Sequence, residues 1–231
     1  MNDHPAFQPK QYTSFPIMTL ILVTLNMLVF IAQTLLEEIN FDYFLQTIFL
    51  FGSVPTLVLG QQGAGALATL TSLFLHGNGF HLASNMIVLW AFGRRVEDVC
   101  GPWRFLAFYL LCGVAANIIS IMSRSTESIP DIGASGAIYG IMAAYLIVFP
   151  HQKITLFDLT RYGLFRVSIH IYWIILFFFL KEIPIALDVL LVDVESNIAH
   201  WAHLGGFFAG TLILLFLRPD AFHRFRNDLP L

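Results

Sequence analysis

The residues best suited to chemistry begin at DIGASGAIYG, residues 131–140, where Ser135 stands between Gly133 and Gly136 at the mouth of an apolar run. A serine hydroxyl is a weak nucleophile until a base takes its proton, and a neutral histidine can be that base near neutral pH. His203, in AHLGGFFAG at 202–210, is the natural partner. Acyl transfer also needs hydrogen-bond donors where the oxyanion forms. The N–H of Ser135 is expected at a helix N-terminus, where free N–H groups and the dipole favour negative charge. His81 and Asn85 are four residues apart and share a helical face, so their side chains can add donors. No acidic residue lies near His203 in sequence, and Asp193 and Glu195 fall in the preceding loop, too far out to orient it. The expectation is a Ser–His dyad rather than a triad.

Elements of a particular kind must position these groups. The chain is 57% hydrophobic and only 12% charged, with mean hydropathy +0.74; soluble domains carry about 25% charged residues. A span needs about 20 apolar residues to cross roughly 30 Å of hydrocarbon. Six candidates are read at about 15–36, 80–97, 103–122, 135–149, 167–182 and 199–217. The fold expected is an all-α polytopic membrane protein: a membrane domain over 15–217 with polar tails at 1–14 and 218–231. Only Lys10 precedes the first apolar run and no small-residue cleavage site follows it, so that run is expected to stay as a span. Cys100 and Cys112 are not expected to bond. The apolar stretch 39–68 is interrupted by Gly52 and Pro55 and reads as one or two short interfacial helices.

Lys and Arg sort the loops. With the N-terminus inside, ten of the 12 fall on the inner side and only Arg124 and Lys181 on the outer, so both termini are expected to be cytoplasmic. Span four, about 15 residues before Pro150, covers roughly 22 Å at 1.5 Å per residue. Ser135 would therefore lie below the outer surface, beside a cavity that water reaches. His81, Asn85, Asn117, Ser120, His200 and His203 fall at that same depth, and polar groups inside membranes are costly and usually functional or paired. Gly136 and Gly140, with Gly206 and Gly210, form two faces of small residues four apart, which let backbones touch. Tyr139, one turn below Ser135, is placed to pack on the histidine ring.

At this point the residues resemble the rhomboid intramembrane serine proteases. The resemblance is carried by GASG at 133–136 with Tyr139, by His81-x3-Asn85, and by AHLGGFFAG at 202–210. FLHGNGFHLASNM at 74–86 and Gly93-x3-Glu97-x3-Gly101 add to it. It covers roughly 15–217 and implies a six-transmembrane-helix bundle that cuts transmembrane protein substrates in or near the lipid bilayer. Ser135 would be the nucleophile and His203 the base. His81, Asn85 and the Ser135 amide would form the oxyanion site. Gly206 would be the small contact beneath the nucleophile, and Gly133 would keep the approach open. A lateral gate would be lined by Phe177–Phe179. The resemblance calls for no cofactor, no metal and no nucleic acid, and the compact six-span form is similar to bacterial members of an inner membrane. One departure is plain: ALATLTSLF at 66–74 lacks the Trp-Arg pair that many members carry before the histidine matching His76.

Blander roles stand beside these. Ser135 could simply cap its helix. His200 and His76 read as structural, His76 through loop backbone, and Glu97 reads as a cap or ion-pair partner at the cytoplasmic edge. Rival functions are a zinc site among His76, His81, His200 and His203, a transporter, and a non-catalytic relative that binds or escorts client helices. The last typically lacks the serine or the histidine, and this chain keeps both.

Overall fold

A computed structural model describes residues 15–160, 163–191 and 199–217. Helix α1 (Ile17–Ile39) opens the described chain. Its N-terminal N–H groups need acceptors, and Glu97 supplies them: the carboxylate accepts from the Met18 and Thr19 N–H groups and from Thr19 Oγ1, at 2.7–2.8 Å. Glu97 therefore caps the start of α1.

Stretch 39–68 holds more helix than the sequence predicts. It contains α2 (Phe41–Phe51), α3 (Pro55–Leu59) and a 3-10 turn at Gly65–Leu67, followed by α4 (Ala68–Thr71) and a second 3-10 turn at Ser72–Phe74. Gly52 and Pro55 divide it, as their lack of a side chain and of an N–H group dictates. Helix α5 (Gly79–Val88) runs through a π-helical segment, Leu89–Gly93, into α6 (Arg94–Cys100). Gly101, at φ +81°, ends that run, and Pro102 starts α7 (Pro102–Ser123) at the helical position where a missing N–H costs nothing.

Helix α8 (Ser135–Val148) is short, and it is buried from Gly136 to Tyr145. It packs against α7, against α9 (Ile171–Leu191) and against α10 (His200–Leu217). Leu89, Phe105, Tyr109, Ile141, Ile175 and Leu214 belong to the core around it. Lipid tails are as apolar as these side chains, so contact between close-packed helices holds such a core, rather than exclusion of water.

Two expectations are corrected. Residues 153–170, read as inner loop and the start of span five, form an antiparallel hairpin of β1 (Lys153–Thr160) and β2 (Gly163–His170). Its register runs from Lys153 opposite His170 to Thr160 opposite Gly163. The domain is mostly helical, not wholly so. Span five also shifts: the helix begins at Ile171 and continues through Pro184 to Leu191. Lys181, Glu182 and Pro184 mark its end in the sequence, yet they lie within it. Among the described residues, α1, α7 and α10 are long and apolar enough to cross a membrane. Both cysteines are free and buried. The tails at 1–14 and 218–231, and Asp193 and Glu195, lie outside the described residues.

Candidate active site

The approach to Ser135 is tied down at each step. Asp131 exchanges two backbone hydrogen bonds with Ser53, at 2.9 and 3.0 Å. Its buried carboxylate accepts from Ser120 Oγ at 2.6 Å and pairs with Arg124. Gly133 then donates its N–H to the Ser72 carbonyl at 2.9 Å while adopting φ +121°, which an L side chain rarely takes. The chain turns there, and Ser135 becomes the first helical residue of α8. The N-cap is Ala134, with no side-chain capping bond. Ser135 therefore follows the cap, and its N–H belongs to the first turn, whose donors have no acceptor within the helix.

That hydroxyl meets His203. Ser135 Oγ lies 2.8 Å from His203 Nε2. The two helices approach through glycine. A Cβ on Gly206 would overlap the Gly136 carbonyl, and one on Gly210 would lie 2.5 Å from the Gly140 oxygen. A Cβ on Gly136 would sit 2.6 Å from Ala116 Cβ on α7. All three contacts are closer than real Cβ atoms tolerate, so these positions admit no side chain as packed. Tyr139 stacks on the His203 ring, with centroids 4.4 Å apart and planes 6° from parallel.

A carboxylate lies behind the histidine, and the sequence reading missed it. Glu182, on α9, is 2% exposed. Its Oε2 is 3.1 Å from His203 Nδ1 and 2.5 Å from His200 Nδ1. Its Oε1 accepts from the Tyr139 hydroxyl at 2.7 Å. The His203 Nδ1 contact is an ion-pair distance without hydrogen-bond alignment; resting sites are often this loose, and tighten with substrate. Trp201 Nε1 donates to the Ala186 carbonyl at 2.9 Å and fixes this part of α9 on α10. The expected isolation of His203 from acidic residues is therefore corrected. Sequence distance hid the contact, since Glu182 reads as loop once span five is ended at its charges.

His81 and Asn85 gather over Gly133, two residues before the serine. A Cβ on Gly133 would lie 2.8 Å from His81 Nε2 and 3.6 Å from Asn85 Nδ2. Glycine is thus required there by its dihedral and by these neighbours together. Asn78 caps α5 by accepting from the His81 N–H at 2.8 Å, which sets the start of this face. Asn85 Nδ2 lies 3.1 Å from His76 Nε2, so the His76 ring meets a side chain of the site. Gln33, on α1, accepts from the His76 N–H at 3.1 Å and donates to its carbonyl at 3.2 Å. Asn117, on α7, donates to the Thr69 carbonyl and to Ser72 Oγ. These bonds hold the segment between α1 and α5 in a chain without the Trp-Arg pair.

Among the described residues, Glu182, His200 and His203 could hold a metal ion, with ligand atoms all within 4.8 Å of one another. His76 and His81 are not part of that group. Phe179 packs on Phe207 and Phe208 of α10, while Phe177 is exposed.

Residues 64–220 match the family model described as Rhomboid domain. The chain is 33% identical over 95 residues to Rhomboid protein 1, mitochondrial, of Saccharomyces cerevisiae, covering 39% of this chain and 28% of that protein. It is 35% identical over 95 residues to the human Presenilin-associated rhomboid-like protein, mitochondrial, covering 40% and 25%. It is 35% identical over 133 residues to Rhomboid protease GluP of Bacillus subtilis, covering 58% and 25%. These matches span about a quarter of each relative's length.

Proposed function

The chain belongs to the rhomboid family, and on that premise we propose that it is an intramembrane serine endopeptidase acting on transmembrane segments of membrane-protein substrates. The observation that carries this reading is the 2.8 Å contact between Ser135 Oγ and His203 Nε2 at the head of a buried helix. Ser135 is not the N-cap, a position that Ala134 takes, and its hydroxyl lies against His203.

The chemistry follows from the geometry. Ser135 Oγ attacks the peptide carbonyl as His203 Nε2 takes its proton. The oxyanion forms against the Ser135 N–H, with His81 and Asn85 reaching in over Gly133. His203 returns the proton to the leaving amine, and water repeats the cycle on the acyl-enzyme. Gly136, Gly206 and Gly210 serve by being small, so that the nucleophile and the base share one contact plane. Tyr139 holds the imidazole by its face. Substrates must offer extended backbone, because helical peptide bonds are shielded by their own hydrogen bonds. The exposed Phe177 beside the packed Phe179 suits a side entrance for such a segment.

The protein is a multi-pass membrane protein. In our reading, six helices cross: α1, the α5–α6 run, α7, α8, α9 and α10, with 15–217 as one domain, both tails cytoplasmic and the first outer loop interfacial. The relatives include mitochondrial proteins and a bacterial one at similar identity, so the expectation of a bacterial inner membrane gains no support over a mitochondrial one.

The test uses the purified full chain in liposomes with a reporter span. Cleavage is expected from the wild type and not from Ser135→Ala or His203→Ala, each folded by thermal unfolding. Cleavage retained in Ser135→Ala and lost with EDTA would replace this reading with a metal site at Glu182, His200 and His203.

A further inference from the structure

We propose that Glu182 is a positioning residue for His203, so that the serine and histidine work in line with a buried carboxylate. The inference rests on the protease reading above. It begins with what the carboxylate costs. Glu182 is 2% exposed, on a largely apolar helix where its neighbour Lys181 places Nζ 3.4 Å from Oε1. A charge placed so is tolerated only when paired and hydrogen-bonded, and in a membrane helix it marks function by default.

Its partners point at one ring. The Tyr139 hydroxyl donates to Oε1 at 2.7 Å, while the Tyr139 ring stacks on His203. His200 Nδ1, at 2.5 Å, pins Oε2. The same Oε2 stands 3.1 Å from His203 Nδ1. A carboxylate held only for stability would be satisfied by His200, Tyr139 and Lys181. The third contact falls on the ring nitrogen opposite the one that meets Ser135 Oγ at 2.8 Å. That opposition has a chemical result. An acceptor at Nδ1 keeps the ring proton there and leaves the Nε2 lone pair free for the serine hydroxyl.

The proton count is simple. As the Oγ–C bond forms, the hydroxyl proton passes to Nε2 and the carbonyl electron pair moves to oxygen. The imidazolium then faces the Glu182 carboxylate, which stabilises it without accepting a proton. On collapse the C–N bond breaks, and the Nε2 proton goes to the leaving nitrogen. The Nδ1 proton stays on His203 throughout. Alignment of Nδ1–H on Oε2 is the movement expected as substrate closes the site.

Glu182→Gln, Glu182→Asp and wild type are compared as full chains in liposomes on the reporter span. Replacing the acid behind a catalytic histidine by its amide lowers kcat by about 10⁴-fold where measured. Here a loss of roughly 10²–10⁴-fold is expected for Glu182→Gln, with KM within about twofold and with partial recovery in Glu182→Asp. Nitrogen-15 NMR of histidine-labelled chain supplies a second readout. His203 should carry its proton on Nδ1 in wild type and in Ser135→Ala, and should gain the Nε2–H form in Glu182→Gln. A Glu182→Gln chain with wild-type kcat, or wild-type His203 protonated on Nε2 instead of Nδ1, would overturn the proposal. If wild type does not cleave at all, the protease reading fails and the NMR result alone decides the role of Glu182. If Glu182→Gln does not fold, the ring tautomer in wild type and the kcat of Glu182→Asp decide it.

Discussion

An imidazole offers two nitrogens and two faces, and at His203 three of these four are taken: Ser135 at Nε2, Glu182 beside Nδ1, Tyr139 on one face. A ring so held loses little freedom when it acts, which is what positioning contributes to a rate. The proposed oxyanion side is built differently. Asn85 is buried, with its Nδ2 beside both Gly133 and His76 Nε2, so His76 orients the amide as His200 pins Glu182. Asn85→Ala should lower kcat by about 10²-fold or more with little change in KM, as loss of one oxyanion donor does; kcat within about threefold of wild type would remove Asn85 from the site. Ser135 and His203 were legible in the sequence because short glycine-rich motifs surround each. Glu182 was not. Its contact with His203 joins residues 21 apart across two helices, and its own surroundings, Lys181 and Pro184, read as a helix end.

Helices α8 and α10 meet as backbone on backbone, and the site exists only while they do. Gly206→Val should part them, because even a Cβ there collides with the Gly136 carbonyl; cleavage and the thermal midpoint in detergent should fall together. Gly79, at the start of α5, is the contrasting case, since a Cβ added there would meet nothing within 4 Å. Gly79→Ala should leave stability within about 0.5 kcal/mol of wild type, and a large loss there would contradict the packing described. The spacing of these glycines was readable from the sequence, as were α1, α7, α8 and α10. The pairing of β1 with β2 was not, since the sequence between them, Arg161-Tyr162, lacks the Asn-Gly or Asp-Gly signal that marks a hairpin. The continuation of α9 past Pro184 was hidden too, because a proline usually ends a helix.

For the whole molecule, our reading puts the N-terminus inside, which sorts ten of the 12 Lys and Arg residues to the inner side. Ser128→Cys should be labelled by an impermeant maleimide from the non-cytoplasmic side, and Gln152→Cys only after the membrane is opened; the reverse pattern would invert the topology. The site would then face water from outside through the shallow end of α8, its walls tied by the Ser53–Asp131 bridge and by Gln33 at His76. The family model covers most of this body, and what the family does not decide is whether this chain is a working hydrolase. The most direct measurement is reaction of the full chain with a fluorophosphonate in detergent, followed by mass mapping. The account predicts one adduct, on Ser135, absent in Ser135→Ala and much slower to form in His203→Ala. No adduct on Ser135, while a control serine protease in the same detergent is labelled, would contradict it.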